Sequence, residues 1–390
     1  MRDFTFHVDT RIIFGKESVE KLSKELSNLN IKSILLCYGG GSIKRNGLYE
    51  RVVSEIEKSG ATFTELSGID PNPRLESVKE GISLARENKC DFILAVGGGS
   101  TIDCAKAIAA GFFYEADPWD LVSGKTRVKK ALGLGVVLTL AATGSEMDTS
   151  AVISNLQTKE KRGFASRHLL PLFAIMDPQV TYSLPAKQTF AGIADIMSHT
   201  MENYFTRDED TYMQDRMAEV ILKTCIKYAK VLKEDPKNYE ARANIMWASS
   251  WAINGFLDVG KQTSWTVHPI EHELSAHYDI THGIGLAIMT PSYLKYILSP
   301  KTASKLQDFA VNVFSVKKTE NPMADAKKGI ELLENFFNEV GIPTRLSQIG
   351  IGDELFEEMA EHVLKVSKIG ESSYVKLNKE DVVKIYRLAL

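Results

Sequence analysis

The chain has 390 residues, 44% of them apolar and 25% charged, the make-up of a folded globular protein with room for two or three domains. A net charge of −3 supplies no positive field for nucleic acid or anionic lipid, so neither is expected as a partner. Cys37, Cys90, Cys104 and Cys225 stand far apart without a CxxC pair, which excludes a zinc ribbon or a dithiol centre and fits a reducing compartment.

The N-terminal MRDFTFHVDTRIIFG has no apolar signal core, and no run of eighteen apolar residues follows, so a cytoplasmic protein is expected. RDFTFHV and TRIIFG could pair as a small hairpin, a possible contact with a second subunit. Next come short apolar runs that stop at glycines or turn residues: KSILLCY (32–38), DFILAV (91–96), LGLGVVLTLA (132–141) and LFAIMD (172–177). Unbroken apolar character predicts strands buried on both faces, as in a parallel sheet. Helix-like stretches at 47–59, 74–88 and 100–110 lie between them. This alternation predicts a doubly wound α/β domain with right-handed crossovers over residues 1–183.

The texture changes near Leu184–Pro185. Beyond it the pattern is helical, with segments at 187–205, 212–233, 237–256, 282–298, 323–340 and 378–389 punctuated by Pro236, Pro291, Pro322 and Pro343. Residues 184–390 are therefore expected to form an all-helical domain, with a cleft between the halves as the default site.

Two glycine-rich turns follow predicted strands, YGGGSIKRNG (38–47) and VGGGSTIDCAKAI (96–108). Glycines admit a close ligand, and a helix N-terminus offers free amides and a positive dipole end, so each turn could cradle a pyrophosphate. Neither is a GxGxxG, and a plain tight strand–helix turn would look the same. A third segment, LTLAATGSEMD (138–148), also ends a strand, and its hydroxyls could bind a phosphate or cap a helix.

Four of the eight histidines crowd into VHPIEHELSAHYDITHG (267–283). His268 and His272 are spaced i, i+4, as are Asp195 and His199 in AGIADIMSHT, so each pair shares a helix face. His282 opens the next helical segment. One carboxylate with three imidazoles would suit Zn2+ or Fe2+. Spacing alone does not choose between His272 and His282. His268–His272 also matches the HxxEH pattern of inverted zincins, with Glu271 as base, although Pro269 is awkward inside a helix.

Taken in order, FGK (14–16), YGGGSIKRNG, PNPR (71–74), GGGSTIDCAK (97–106), ATGSEMD (142–148), the Asp195–His199 segment and EHELSAHYDITHGIGLAI (271–288) resemble the iron-containing alcohol dehydrogenases, in particular their butanol dehydrogenase subgroup, over nearly the whole chain. The resemblance implies a Rossmann-like nucleotide-binding domain followed by a helical metal-binding domain, the architecture of dehydroquinate synthase. It implies Asp195, His199, His268 and His282 as ligands of Fe2+ or Zn2+, and His272 as a proton relay. It implies Gly97, Gly98, Gly99 and Ser100 at the pyrophosphate, with Asp103, Thr139, Thr143 and Lys161 nearby. Asp148, Phe256 and Trp265 would line the substrate side. NAD-preferring members often carry Asp after the first strand. Here Tyr38, Gly39 and Gly40 stand there, and Ser42, Lys44 and Arg45 could hold a 2′-phosphate, so NADP(H) is favoured over NAD(H). The implied activity is hydride exchange between NAD(P)(H) and a primary alcohol or aldehyde, by a homodimer. Lyases on the same fold would bring extra Lys and Arg to the site, whereas 264–290 contains none.

Overall fold

The computed structural model describes residues 1–208, 210–263 and 265–390. By its contacts the chain divides into two compact units, one of residues 7–184 and 237–254, the other of residues 1–6, 185–236 and 255–390.

The first unit is built on a six-stranded parallel sheet. Its strands are β1 (Arg11–Phe14), β2 (Ser33–Tyr38), β3 (Thr62–Leu66), β4 (Phe92–Gly97), β5 (Gly133–Leu138) and, after an antiparallel hairpin of β6 (Ser150–Asn155) and β7 (Glu160–Ala165), β8 (Phe173–Met176). Their order is β1-β8-β5-β4-β2-β3. Ile34, Leu36 and Tyr38 of β2 enter one apolar core and Leu35 and Cys37 enter another, so both faces are covered, as the unbroken apolar runs require. Of the helices with ten or more residues, α1 (Leu48–Ser59) packs on the first face, and α2 (Leu75–Glu87) and α3 (Gly99–Gly111) pack on the second.

The expected terminal hairpin is absent among the described residues. TRIIFG does form a strand, but β1 pairs in parallel with β8 at the sheet edge, Arg11 opposite Phe173, and residues 1–10 are not strand. Ile13 gains a place in the core there, which a two-stranded hairpin would not provide.

The remaining long helices follow in chain order. They are α4 (Ala186–Tyr204), α5 (Tyr212–Glu234), α6 (Tyr239–Trp251), α7 (Val267–Tyr278), α8 (His282–Ile297), α9 (Ala303–Phe314), α10 (Pro322–Glu339), α11 (Phe356–Val366) and α12 (Lys379–Leu388). The sequence reading assigns all of these to the helical half. The contacts place α6 in the sheet unit instead. There Trp247 meets Phe14 edge-on, Lys16 lies over the Tyr239 ring, and Ser250 donates to Glu146. Amphipathic periodicity says that a helix has a buried face but not which core receives it.

In the helical unit α8 packs on both α4 and α7, close to the first turn of α8. A Cβ on Gly283 would overlap the carbonyl oxygen of Ala191, and one on Gly285 would come within 2.6 Å of the Glu271 side chain. The HGIG at the start of α8 is therefore the condition for bringing these three helices together.

Candidate functional site

Asp195 and His199 lie one turn apart on α4, His268 in the first turn of α7 and His282 at the first position of α8. Pro269 sits in the first turn of α7, where its missing N–H is no loss, so it does not interrupt that helix. The Nε2 atoms of His199, His268 and His282 stand 3.5, 3.9 and 3.8 Å from Asp195 Oδ1. Four donors placed tetrahedrally about 2.1 Å from one point would be about 3.4 Å apart. Asp195 Oδ1 and His268 Nε2 are buried, and neither has a hydrogen-bond partner among the described residues. Two such atoms facing each other carry a desolvation cost that a shared cation removes. Asp195, His268 and His282 offer donor atoms within 4.8 Å of one another, and with His199 Nε2 3.5 Å from Asp195 Oδ1 they fit a divalent ion.

Burial disfavours charge throughout this cluster. It pushes the His199 imidazole down to about 3, against the pull of Asp195. At His268 burial is outweighed by the carboxylates of Asp195 and Glu202, which raise the ring to about 9. At Asp195 burial is outweighed by His199, His268 and His282, which hold its carboxyl below the usual range. A cation here replaces a proton that the metal-free cluster would otherwise keep on His268.

His272 lies one turn beyond His268, partly buried, with its ring 5.4 Å from that of His282. Spacing could not rank these two. The geometry brings His282 to Asp195, and it groups His272 with Glu271 and His282. Glu271 is fully buried, and its oxygens take the Ser275 hydroxyl and the His282 Nδ1. It is thus not available as the base of an inverted zincin. Trp265, with a left-handed backbone (φ 43°), sets its ring 5.0 Å from His268 and 5.7 Å from His199. Phe256 packs edge-on against Phe6. His277 contacts the Tyr278 ring.

The coenzyme candidates lie in the sheet unit. From β2 the chain runs outward to β3 and then returns to β4 on the other side of β2, so β2 and β4 flank the point where the winding reverses. Open α/β sheets bind ligands at the carboxyl ends of such strands. Gly39, Gly40 and Ser42 follow β2, Gly98 precedes α3, and Gly99 and Ser100 open it. The first amides of a helix lack intrahelical partners and suit a phosphate. Thr139 follows β5, the next strand, and its amide donates to Gly97 O at 3.0 Å. Thr143 lies so close to Gly99 that any Cβ there would collide with it, which packs the 97–100 turn against the 139–145 turn. Lys161 stands on β7 opposite Ser154.

Asp103 and Asp148, expected beside ligands, are buried and engaged internally. Asp103 accepts from Ser145 Oγ at 2.6 Å and from the Val152 amide at 2.9 Å. Burial pushes its carboxyl up to about 6. Asp148 accepts from the ammonium of Lys106, a fully buried side chain that also donates to the carbonyls of Asp148 and Ser150. These groups brace α3 against residues 143–152, the loop behind the glycine turn. Lys106 escaped the sequence reading, although a lysine in so apolar a helix was a signal.

Comparison with known proteins bears on the whole chain. Residues 9–178 match the family model of iron-containing alcohol dehydrogenase, and residues 189–390 match that of the C-terminal part of the Fe-containing alcohol dehydrogenase family. The chain is 48% identical to NADH-dependent butanol dehydrogenase B of Clostridium acetobutylicum over 99% of both chains. It is 38% identical to the NADPH-dependent aldehyde reductase of Escherichia coli over 97% of both. The crystal structure of NADH-dependent butanol dehydrogenase A from Thermotoga maritima, 40% identical, superposes with a TM-score of 0.94 and covers 100% of this chain and 99% of the other. Matched by both family models and 48% identical to that butanol dehydrogenase over nearly its whole length, the chain belongs to the iron-containing alcohol dehydrogenase family.

Proposed function

We propose that this chain is a metal-dependent alcohol dehydrogenase and aldehyde reductase that exchanges hydride between NAD(P)(H) and a primary alcohol or aldehyde, butanol and butanal among them. The observation that carries the reading is the convergence of three imidazole nitrogens on the buried Asp195 Oδ1. Asp195, His199, His268 and His282 would hold the ion, Fe2+ or Zn2+. When bound, the ion supplies Lewis acidity toward an alcohol or carbonyl oxygen, and the nicotinamide supplies or accepts the hydride.

The residues do the rest. The turns at 39–42 and 97–100 bind the coenzyme, and Thr139, Thr143 and Lys161 orient it. His272 is not needed to complete the ligand set and carries a proton between the reacting oxygen and solvent. Trp265 and Phe256 offer apolar surface to the carbon chain, with Asp148 fixing the loop on the nicotinamide side. The stretch 265–290 has no Lys or Arg, which favours a small neutral substrate over a phosphorylated one.

The turn's own residues favour NADP(H), since Gly39 and Gly40 bring no carboxylate against a 2′-phosphate. Two observations favour NAD(H). The Lys44 ammonium lies 3.5 Å from Glu65 Oε2 and over the Tyr49 ring, and the clostridial relative is described as NADH-dependent. Among the described residues no helix is long and apolar enough to cross a membrane. A cytoplasmic homodimer completes the proposal. Sedimentation velocity tests the dimer.

The deciding experiment loads the protein anoxically with Fe2+ or Zn2+, adds butanal and follows reduced-nicotinamide absorbance with NADPH and with NADH. Metal-dependent loss of absorbance is expected. No turnover with either coenzyme despite bound metal refutes the reading.

A further inference from the structure

Two buried glutamates outside the ligand set reach its rings from behind. Glu202 lies seven residues after Asp195 on α4, so Asp195, His199 and Glu202 share one helical stripe. Its carboxylate accepts from the amides of Thr266 (2.8 Å), Val267 (2.7 Å) and His268 (2.9 Å), and it meets His268 Nδ1 at 3.1 Å. An oxygen already facing N–H donors cannot donate, so Nδ1 carries a hydrogen, and Nε2 is the nitrogen whose lone pair is left toward Asp195 once a cation displaces its proton. Glu271, on α7, does the same for a ring on α8. One oxygen takes the Ser275 hydroxyl at 2.5 Å and the other faces His282 Nδ1. The space for it comes from Gly285. His199 differs, because its Nδ1 is buried with no hydrogen-bond partner among the described residues.

We propose that Glu202 and Glu271 are positioning residues that fix the tautomer and ring orientation of His268 and His282, leaving His199 as the one imidazole held by packing alone. The inference rests on the ligand assignment above. It makes α4 the frame of the centre, since that helix supplies two ligands and, through Glu202, both caps the first turn of α7 and aims the third.

Helix α7, which carries Glu271, provides a matched control. Glu273 is also buried, and it also faces a histidine Nδ1, that of His362 at 2.9 Å, but His362 is outside the ligand cluster. Co2+ is the probe, added to the full-length metal-free protein, with affinity read by competition against a chelating dye and coordination read from the visible absorption bands. Glu202→Gln presents an amide N–H where an acceptor is required, and Glu271→Gln replaces the carboxylate behind His282 Nδ1 by a neutral amide. Each is expected to weaken Co2+ binding roughly 10- to 100-fold and to shift the bands. Glu273→Gln is expected to match wild type in both. Should Glu202→Gln fail to fold for want of its cap, Glu271→Gln alone decides. Wild-type affinity and spectrum in the folded Gln variants overturn this inference while leaving the ligands in place. Wild-type Co2+ binding by His268→Ala overturns the ligand assignment and this inference with it.

Discussion

Glu146 offers a test of how much the sheet unit gives up to keep its loop dry. The side chain is buried in the 139–148 turn, accepts from Ser250 Oγ at 2.5 Å, and is pushed up to about 7 by burial, against 4.5 for an ordinary glutamate. The folded state therefore prefers the proton more than the unfolded state does. Its contribution is fully present below about pH 4.5 and is lost as pH rises through about 7. Each pH unit across that window weighs ~1.4 kcal/mol at most. Evaluated with both pKa values, the wild-type penalty is about 1 kcal/mol at pH 5 and about 3 kcal/mol at pH 8. Glu146→Gln keeps the shape and an acceptor for Ser250 but has no proton to lose. The stability of the variant minus that of wild type should therefore rise by roughly 2 kcal/mol between pH 5 and pH 8. Urea unfolding followed by tryptophan fluorescence is the assay, because Trp119, Trp247 and Trp251 lie in the sheet unit and only Trp265 in the other. A difference that stays flat with pH, or falls, refutes the argument and means that Glu146 is ionised or hydrated in the folded protein.

Four further outcomes follow from contacts described above. His272→Ala should retain stoichiometric metal and lose turnover; loss of metal would make it a ligand. Lys106→Met strands the Asp148 carboxylate in the interior and should cost about 3–5 kcal/mol in urea unfolding at pH 7, with weakened coenzyme binding by titration calorimetry. Glu65→Gln frees Lys44 and removes a negative charge near the first glycine turn. The ratio of kcat/KM for NADPH to that for NADH should therefore rise, and by less at high salt, where an exposed charge is screened. Gly285→Ala drives a methyl against Glu271 and should lower stability by about 1–3 kcal/mol while weakening metal binding, read by melting and by dye competition.

The parts of the fold that were legible are those where one physical signal acts alone. The runs 33–38, 92–97 and 133–138 read as strands because both of their faces are buried, and α4, α5 and α8 read as helices from their length and periodicity. The hairpin of β6 and β7 escaped because neither strand is a continuous apolar run: SAVISN mixes serine and asparagine with its apolar residues, and EKRGFA is charged and has no buried position. At the candidate metal centre, i, i+4 spacing pointed to Asp195 with His199, but the choice of His282 depends on how α8 crosses α4, which no local pattern encodes. Glu202 and Glu271 were hidden for a related reason: a carboxylate on an otherwise buried helix looks like a surface residue until its partner arrives from 66 or 11 positions away.

The division of the chain has a further consequence. The path passes between the two units four times, after residues 6, 184, 236 and 254. They are therefore not interchangeable modules that could be shuffled or expressed apart. A fragment ending at residue 184 would lack α6, and with it the partners of Phe14, Lys16 and Glu146. It would expose an apolar scar on the sheet unit and should aggregate more readily than the whole chain. Insertions or fusions belong instead at exposed turns inside one unit, such as Gln157–Lys159 between β6 and β7, where no crossing of the chain is disturbed.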